Sequence, residues 1–168
     1  MSPDAQTYVL NQKLFSVGGD LWIEDGAGNR AFEVDGKAFS LRRTLEFRGP
    51  AGDPLYVINQ SLAHLRRTFE IKRGGDVVAT VEEALVNILG DHFTIRLVAG
   101  DELAVKGDWI NREFHVMHAD SEVIVASRRL ISLRDSYGVQ VAPGFDVPLA
   151  LAIVVALEQM ELEGRRDR

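Results

Sequence analysis

Cysteine is absent from all 168 residues, which excludes disulfide bonds, thiolate catalysis and cysteine-ligated zinc. There is no excess of positive charge either. A net charge of −6 argues against a broad nucleic-acid surface, so no nucleic-acid partner is expected. The first twelve residues, MSPDAQTYVLNQ, lack both a basic start and an apolar core, so no secretory signal is expected and a cytoplasmic location is. No G-x-S-x-G motif occurs, and the glycine clusters form neither a Walker loop nor a dinucleotide fingerprint. No reaction or cofactor is therefore read from the residues, and the chain is expected not to be an enzyme. Linkers and low-complexity tracts are missing too, so one domain is expected over residues 1–168. Long apolar runs are nearly absent, with one exception near the C-terminus.

What fills most of the chain is alternation with a period of two. Leu21 and Ile23 alternate with Asp20, Trp22 and Glu24; Phe69 and Ile71 alternate with Thr68, Glu70 and Lys72; Phe93, Ile95 and Leu97 alternate with His92, Thr94 and Arg96. Turn residues separate these segments: 25–29 (DGAGN), 49–54 (GPAGDP), 74–76 (GGD) and 99–101 (AGD). The pattern predicts about twelve short strands over residues 6–142, each with one buried and one solvated face. Such strands pair antiparallel, in a sandwich or a barrel. One internal echo is visible, Tyr8-Val9-Leu10-Asn11-Gln12 recurring as Tyr56-Val57-Ile58-Asn59-Gln60.

The exception is the stretch from Val147 to Leu157, eleven residues without a polar side chain. Asp146 suits a helix N-cap and Pro148 a first helical turn, which predicts a helix over about 146–163. A membrane span needs about 20 apolar residues, so no transmembrane segment is expected. A helix apolar all round must still be surrounded. A closed barrel of about twelve strands leaves a central space, and a helix about 10–12 Å across fits it. The fold class expected is thus mainly β: an antiparallel closed barrel enclosing its own C-terminal α-helix.

Candidate binding residues are few. His115 and His118 stand near Asp120, but positions three apart on a strand face opposite ways, so no metal site is expected. Four basic doublets are the features suited to a phosphorylated ligand: Arg42-Arg43, Arg66-Arg67, Lys72-Arg73 and Arg128-Arg129. They are interleaved with Glu46, Glu70, Glu82 and Glu83, which also fits a solvated surface.

Residues 8–16 (YVLNQKLFS), 21–28 (LWIEDGAG), Phe39-Ser40-Leu41-Arg42, Phe69-Glu70-Ile71, Gly107-Asp108-Trp109 and Ser136-Tyr137, with the closing apolar helix, resemble the LURP-one-related proteins. These belong to the tubby C-terminal-like group, which includes phospholipid scramblases. The resemblance implies a twelve-stranded barrel threaded by a hydrophobic helix, in agreement with the patterning. It implies phosphoinositide head-group binding only through the tubby branch, whose basic motif has no match here, so no binding residue carries over. The cysteine-rich and proline-rich segments of scramblases are also missing. Two functions remain as expectations: a barrel that binds anionic phospholipid head groups, or a protein-interaction module without lipid.

Overall fold

A computed structural model describes residues 2–11, 20–36, 44–63, 65–84, 93–108, 111–132 and 135–166, without the side chains of residues 165 and 166. Arg42, Arg43, His64, His92 and Trp109 lie outside the described residues.

The strands are β1 (Gln6–Asn11), β2 (Leu21–Asp25), β3 (Arg30–Asp35), β4 (Thr44–Arg48), β5 (Pro54–Ser61), β6 (Thr68–Arg73), β7 (Asp76–Glu83), β8 (Phe93–Leu97), β9 (Glu102–Asp108), β10 (Glu113–His118), β11 (Ser121–Ser127) and β12 (Ser136–Val141). One helix follows, α1 (Val147–Arg166). Each strand pairs antiparallel with the next, and β12 returns to β1, in register from Gln6↔Val141 to Asn11↔Ser136. The sheet therefore closes without a free edge, which removes the unpaired backbone groups an edge strand exposes.

Closure follows from the alternation. Ile23, Phe47, Ile58, Ile71, Val81, Ile95, Val105 and Val116 are all fully buried and face the axis. The polar residues between them face water, and some pair across the outer surface, such as Arg96 with Glu82 at 2.5 Å. The echo noted above maps β1 onto β5, placing Leu10 and Ile58 at buried inward positions of each.

Helix α1 supplies what the wall lacks. Every residue from Ala150 to Leu157 is buried, on all sides of the helix. It packs against β5, β6, β7 and β12. A helix with no solvated face is stable here because the barrel wall surrounds it as lipid would elsewhere. Its start is capped as the sequence suggests: Leu149 N donates to Asp146 Oδ1 at 2.8 Å, and Pro148 occupies the first turn.

The antiparallel order gives the barrel two distinct ends. At the near end, where α1 begins, tight turns join β2 to β3, β4 to β5, β6 to β7, β8 to β9 and β10 to β11. Gly74 and Gly75, at φ of 58° and 90°, make a two-residue turn that requires this left-handed geometry. At the far end, where α1 finishes, lie the connections from β5 to β6, β9 to β10 and β11 to β12.

Candidate functional site

The far end gathers the charged groups that the pattern does not explain. Beyond Leu157 the helix turns polar, yet Glu158, Gln159, Glu161 and Glu163 are all buried. Glu158 and Glu161, three apart, share a helix face. Arg112, in the β9–β10 connection, reaches both. Its Nε donates to Glu158 Oε1 at 2.9 Å and its Nη2 to Glu158 Oε2 at 2.5 Å, while Nη1 lies 2.7 Å from Glu161 Oε2. Tyr137, on β12, donates its hydroxyl to Glu158 Oε1 at 2.8 Å. Arg112 holds this geometry at φ 58°, a left-handed backbone that an arginine rarely adopts.

Burial pushes the Glu158 carboxyl above its usual range, against the opposing pull of Arg112 and Tyr137. Burial alone would lower the Arg112 guanidinium, but Glu158 and then Glu161 outweigh it, and the group is held above its ordinary value. The Tyr137 phenol is pushed well up, first by burial and then by the Glu158 charge. The folded state therefore holds the Tyr137 proton more tightly than the unfolded chain does. That stabilisation is complete below about pH 10 and is lost as pH rises through the raised folded value. In urea unfolding, stability should fall above pH 10 by up to about 1.4 kcal/mol per pH unit from this group. Tyr137→Phe should flatten that alkaline slope, while costing about 1 kcal/mol at neutral pH for the lost hydrogen bond.

Around this buried network stand the basic doublets. Arg66 and Arg67 close the β5–β6 connection. Its base is fixed by the Ser61↔Thr68 strand pair and by the Thr68 hydroxyl, which donates to Arg66 O at 3.2 Å. The Arg67 guanidinium lies over Gly164 of α1; a methyl group there would meet Arg67 Nη1 at 3.0 Å. Arg66 has no ionic partner among the described residues, and Leu62 and Leu65 beside it are 91% and 109% exposed. Ala63, Leu65, Arg66, Thr68 and Glu82 line a depression of about 360 Å³. Arg128 and Arg129 occupy an exposed 3-10 turn (Arg128–Leu130) at the end of β11. Glu113 secures that turn, accepting from Ser127 Oγ at 2.8 Å and from Arg128 N at 3.0 Å. It folds closely onto β12, where a side chain at Gly138 would meet Leu130 Cβ at 2.5 Å.

Lys72 and Arg73 lie elsewhere. Lys72 Nζ is 2.9 Å from Glu70 Oε2 on the outer wall. Arg73, at the near end, stacks over the Tyr56 ring with its guanidinium 4.8 Å from the ring centre and donates to the Tyr56 hydroxyl. Thus Arg66-Arg67 and Arg128-Arg129 share the far end, on opposite sides of its rim, and Lys72-Arg73 does not join them. His115 lies 3.1 Å from Glu122 and His118 lies 3.3 Å from Asp101, so the two histidines face different carboxylates. Among the described residues no group of three His, Asp or Glu side chains is placed to hold a metal, and no helix is long and apolar enough to cross a membrane.

Comparison with known proteins agrees with the barrel-and-helix architecture. The family model described as LURP-one-related matches residues 6–158. The chain belongs to the LURP-one-related family. The Bacillus subtilis protein YxjI is 30% identical over 151 residues, covering 90% of this chain and 91% of that protein. The Arabidopsis thaliana protein LURP-one-related 15 is 22% identical over 174 residues, covering 94% and 80%. An X-ray structure of an Arabidopsis thaliana protein superposes with a TM-score of 0.71 at 22% identity, over 95% of this chain and 93% of that one. The LURP-one-related description and the names of these relatives indicate no enzymatic family. Of the far-end residues, the basic doublets were visible in sequence. The Arg112–Glu158–Glu161–Tyr137 network was not, because nothing in a linear pattern singles out Arg112 from other arginines. The spacing of Glu158 and Glu161 on one helix face was the available signal.

Proposed function

We propose that this LURP-one-related chain is a non-enzymatic binding domain spanning residues 1–168, which docks its far end on anionic phospholipid surfaces, phosphoinositide head groups included. The observation that carries this reading is the placement of two arginine doublets, Arg66-Arg67 and Arg128-Arg129, at one end of the barrel. Every near-end hairpin turn or its flank contributes an aspartate: Asp25, Asp53, Asp76, Asp101 and Asp120, with Asp146 at the head of α1. The near-end arginines are engaged, Arg30 over the Trp22 ring at 4.4 Å, Arg73 over Tyr56, and Arg48 and Arg96 with carboxylates. The far end carries Arg66, Arg67, Arg128 and Arg129; of the acids there, Asp20, Asp35 and Asp135 are half-buried, and Glu83 and Asp108 are exposed.

A molecule of net charge −6 approaches a negative surface by the end where its arginines gather. Each arginine near an anionic leaflet contributes about 1 kcal/mol, so several acting together give reversible attachment rather than insertion. The interior supports a surface mode of binding as well, since α1 fills the barrel axis with buried side chains. Sedimentation with phosphatidylcholine vesicles carrying increasing phosphoinositide tests the reading. Binding should rise with phosphoinositide and weaken with salt. No salt-sensitive binding would remove lipid and leave a protein-interaction module, detectable as co-purifying partners in a pull-down.

A further inference from the structure

We infer that the described part of the β5–β6 connection, residues 62, 63 and 65–67, is a membrane-inserting tip, in which Leu62 and Leu65 enter the lipid interface while Arg66 contacts a head-group phosphate. This rests on the reading that the far end docks on anionic lipid, and adds the element that does so. Side chains of leucine are ordinarily among the most buried, yet these two stand 91% and 109% exposed within four residues of each other. Neither belongs to the core, and the adjoining strand positions Ile58 and Phe69 already fill the inward sites. Their exposure therefore has no role in holding the barrel together.

Three features make the tip suited to lipid. First, the connection is anchored at its base by the Ser61↔Thr68 pair and the Thr68 hydroxyl, so the leucines project from a fixed support. Second, the acid that lines the depression together with Leu65 and Arg66, Glu82, is already engaged, with Arg96 Nη1 2.5 Å away. Arg66 thus stays available to an outside anion, and a guanidinium presents a planar fork that matches phosphate geometry. Third, apolar tips set beside arginines pair burial in the acyl boundary with head-group attraction, and the two signals together hold a peripheral protein better than one. Leucine is under-represented at the energetic centres of protein interfaces, whereas the acyl boundary accepts any apolar side chain, so this pair fits lipid better than a protein partner.

The chain has no cysteine, so a single introduced thiol can carry an environment-sensitive fluorophore without background. Two full-length variants are compared: Leu65→Cys at the tip, and Val98→Cys in the near-end β8–β9 turn, where Val98 is 75% exposed. Vesicles are phosphatidylcholine alone or phosphatidylcholine with phosphatidylserine and a phosphoinositide. The expected result is a blue shift at position 65 on the anionic vesicles only, with none at position 98. Leu62→Ser with Leu65→Ser should lower vesicle affinity at least about tenfold with an unchanged circular dichroism spectrum. If the wild-type chain sediments with these vesicles but position 65 shows no shift, or the double variant binds equally well, the tip is wrong while lipid docking stands. A wild-type chain that binds no vesicle overturns both. Leucine-dependent capture of a protein, without vesicle binding, would reassign the tip to a protein partner.

Discussion

A chain lacking Asp146–Arg168 is expected to be insoluble or unfolded. Leu151, Ile153, Val154, Val155, Leu157 and Met160 are each at most 2% exposed inside the barrel. Full burial of such side chains contributes about 1.5–3 kcal/mol each. Together they match or exceed the roughly 5–15 kcal/mol by which a domain of this kind is stable at all. Without α1 the inward faces of the strands would enclose an apolar void too large for side chains alone to fill. A single change, Val154→Asp, should act in the same direction by burying an unpaired carboxylate at a fully enclosed site. Far-ultraviolet circular dichroism and size-exclusion chromatography of the truncated chain provide the check. A truncated protein that stayed folded and monomeric, and lost only membrane attachment, would show that the helix is an anchor rather than the core.

Replacing Arg112 by alanine should cost about 3–5 kcal/mol, the usual consequence of leaving a buried carboxylate without its partner. Two carboxylates, Glu158 and Glu161, pair with this one guanidinium, and each is at most 5% exposed. Arg112→Gly separates charge from backbone. Glycine tolerates the φ of 58° better than any other residue, so a backbone role alone predicts a neutral or stabilising change. Loss of the ion pair predicts severe destabilisation in either variant. Glu158→Gln in the Arg112→Ala background should recover part of the loss, because the neutral amide no longer buries an uncompensated charge. Urea unfolding measures all four proteins. An unfolding free energy for Arg112→Ala within about 0.5 kcal/mol of wild type would mean that water reaches these carboxylates.

The two results together define how the helix is held. Its first half is retained by apolar burial, which is strong but has no preferred register along the axis. Its second half is retained by Arg112 and Tyr137, whose bonds to Glu158 have fixed directions. The ion-pair network therefore sets how far α1 enters the barrel, and so where Gly164 meets Arg67 beneath the β5–β6 connection.

The sequence by itself determined the wall and its filler. Alternation at Leu21/Ile23, Phe69/Ile71 and Phe93/Ile95 specifies inward and outward faces because side chains on a strand reverse at every residue. The unbroken run from Val147 to Leu157 specifies an enclosed helix because it is too apolar for a surface and too short for a membrane. Even its cap at Asp146 was local, and local signals survive folding. The tertiary structure alone decided what the chain's charges do. Arg112 and Glu158 are 46 residues apart, and no pattern of nearest neighbours could join them or show that Glu158, Gln159, Glu161 and Glu163 would be buried. Nor could the sequence show that Arg66-Arg67 and Arg128-Arg129 share one end of the barrel. Strand direction along a closed barrel assigns each turn to an end, and that assignment exists only once the barrel closes.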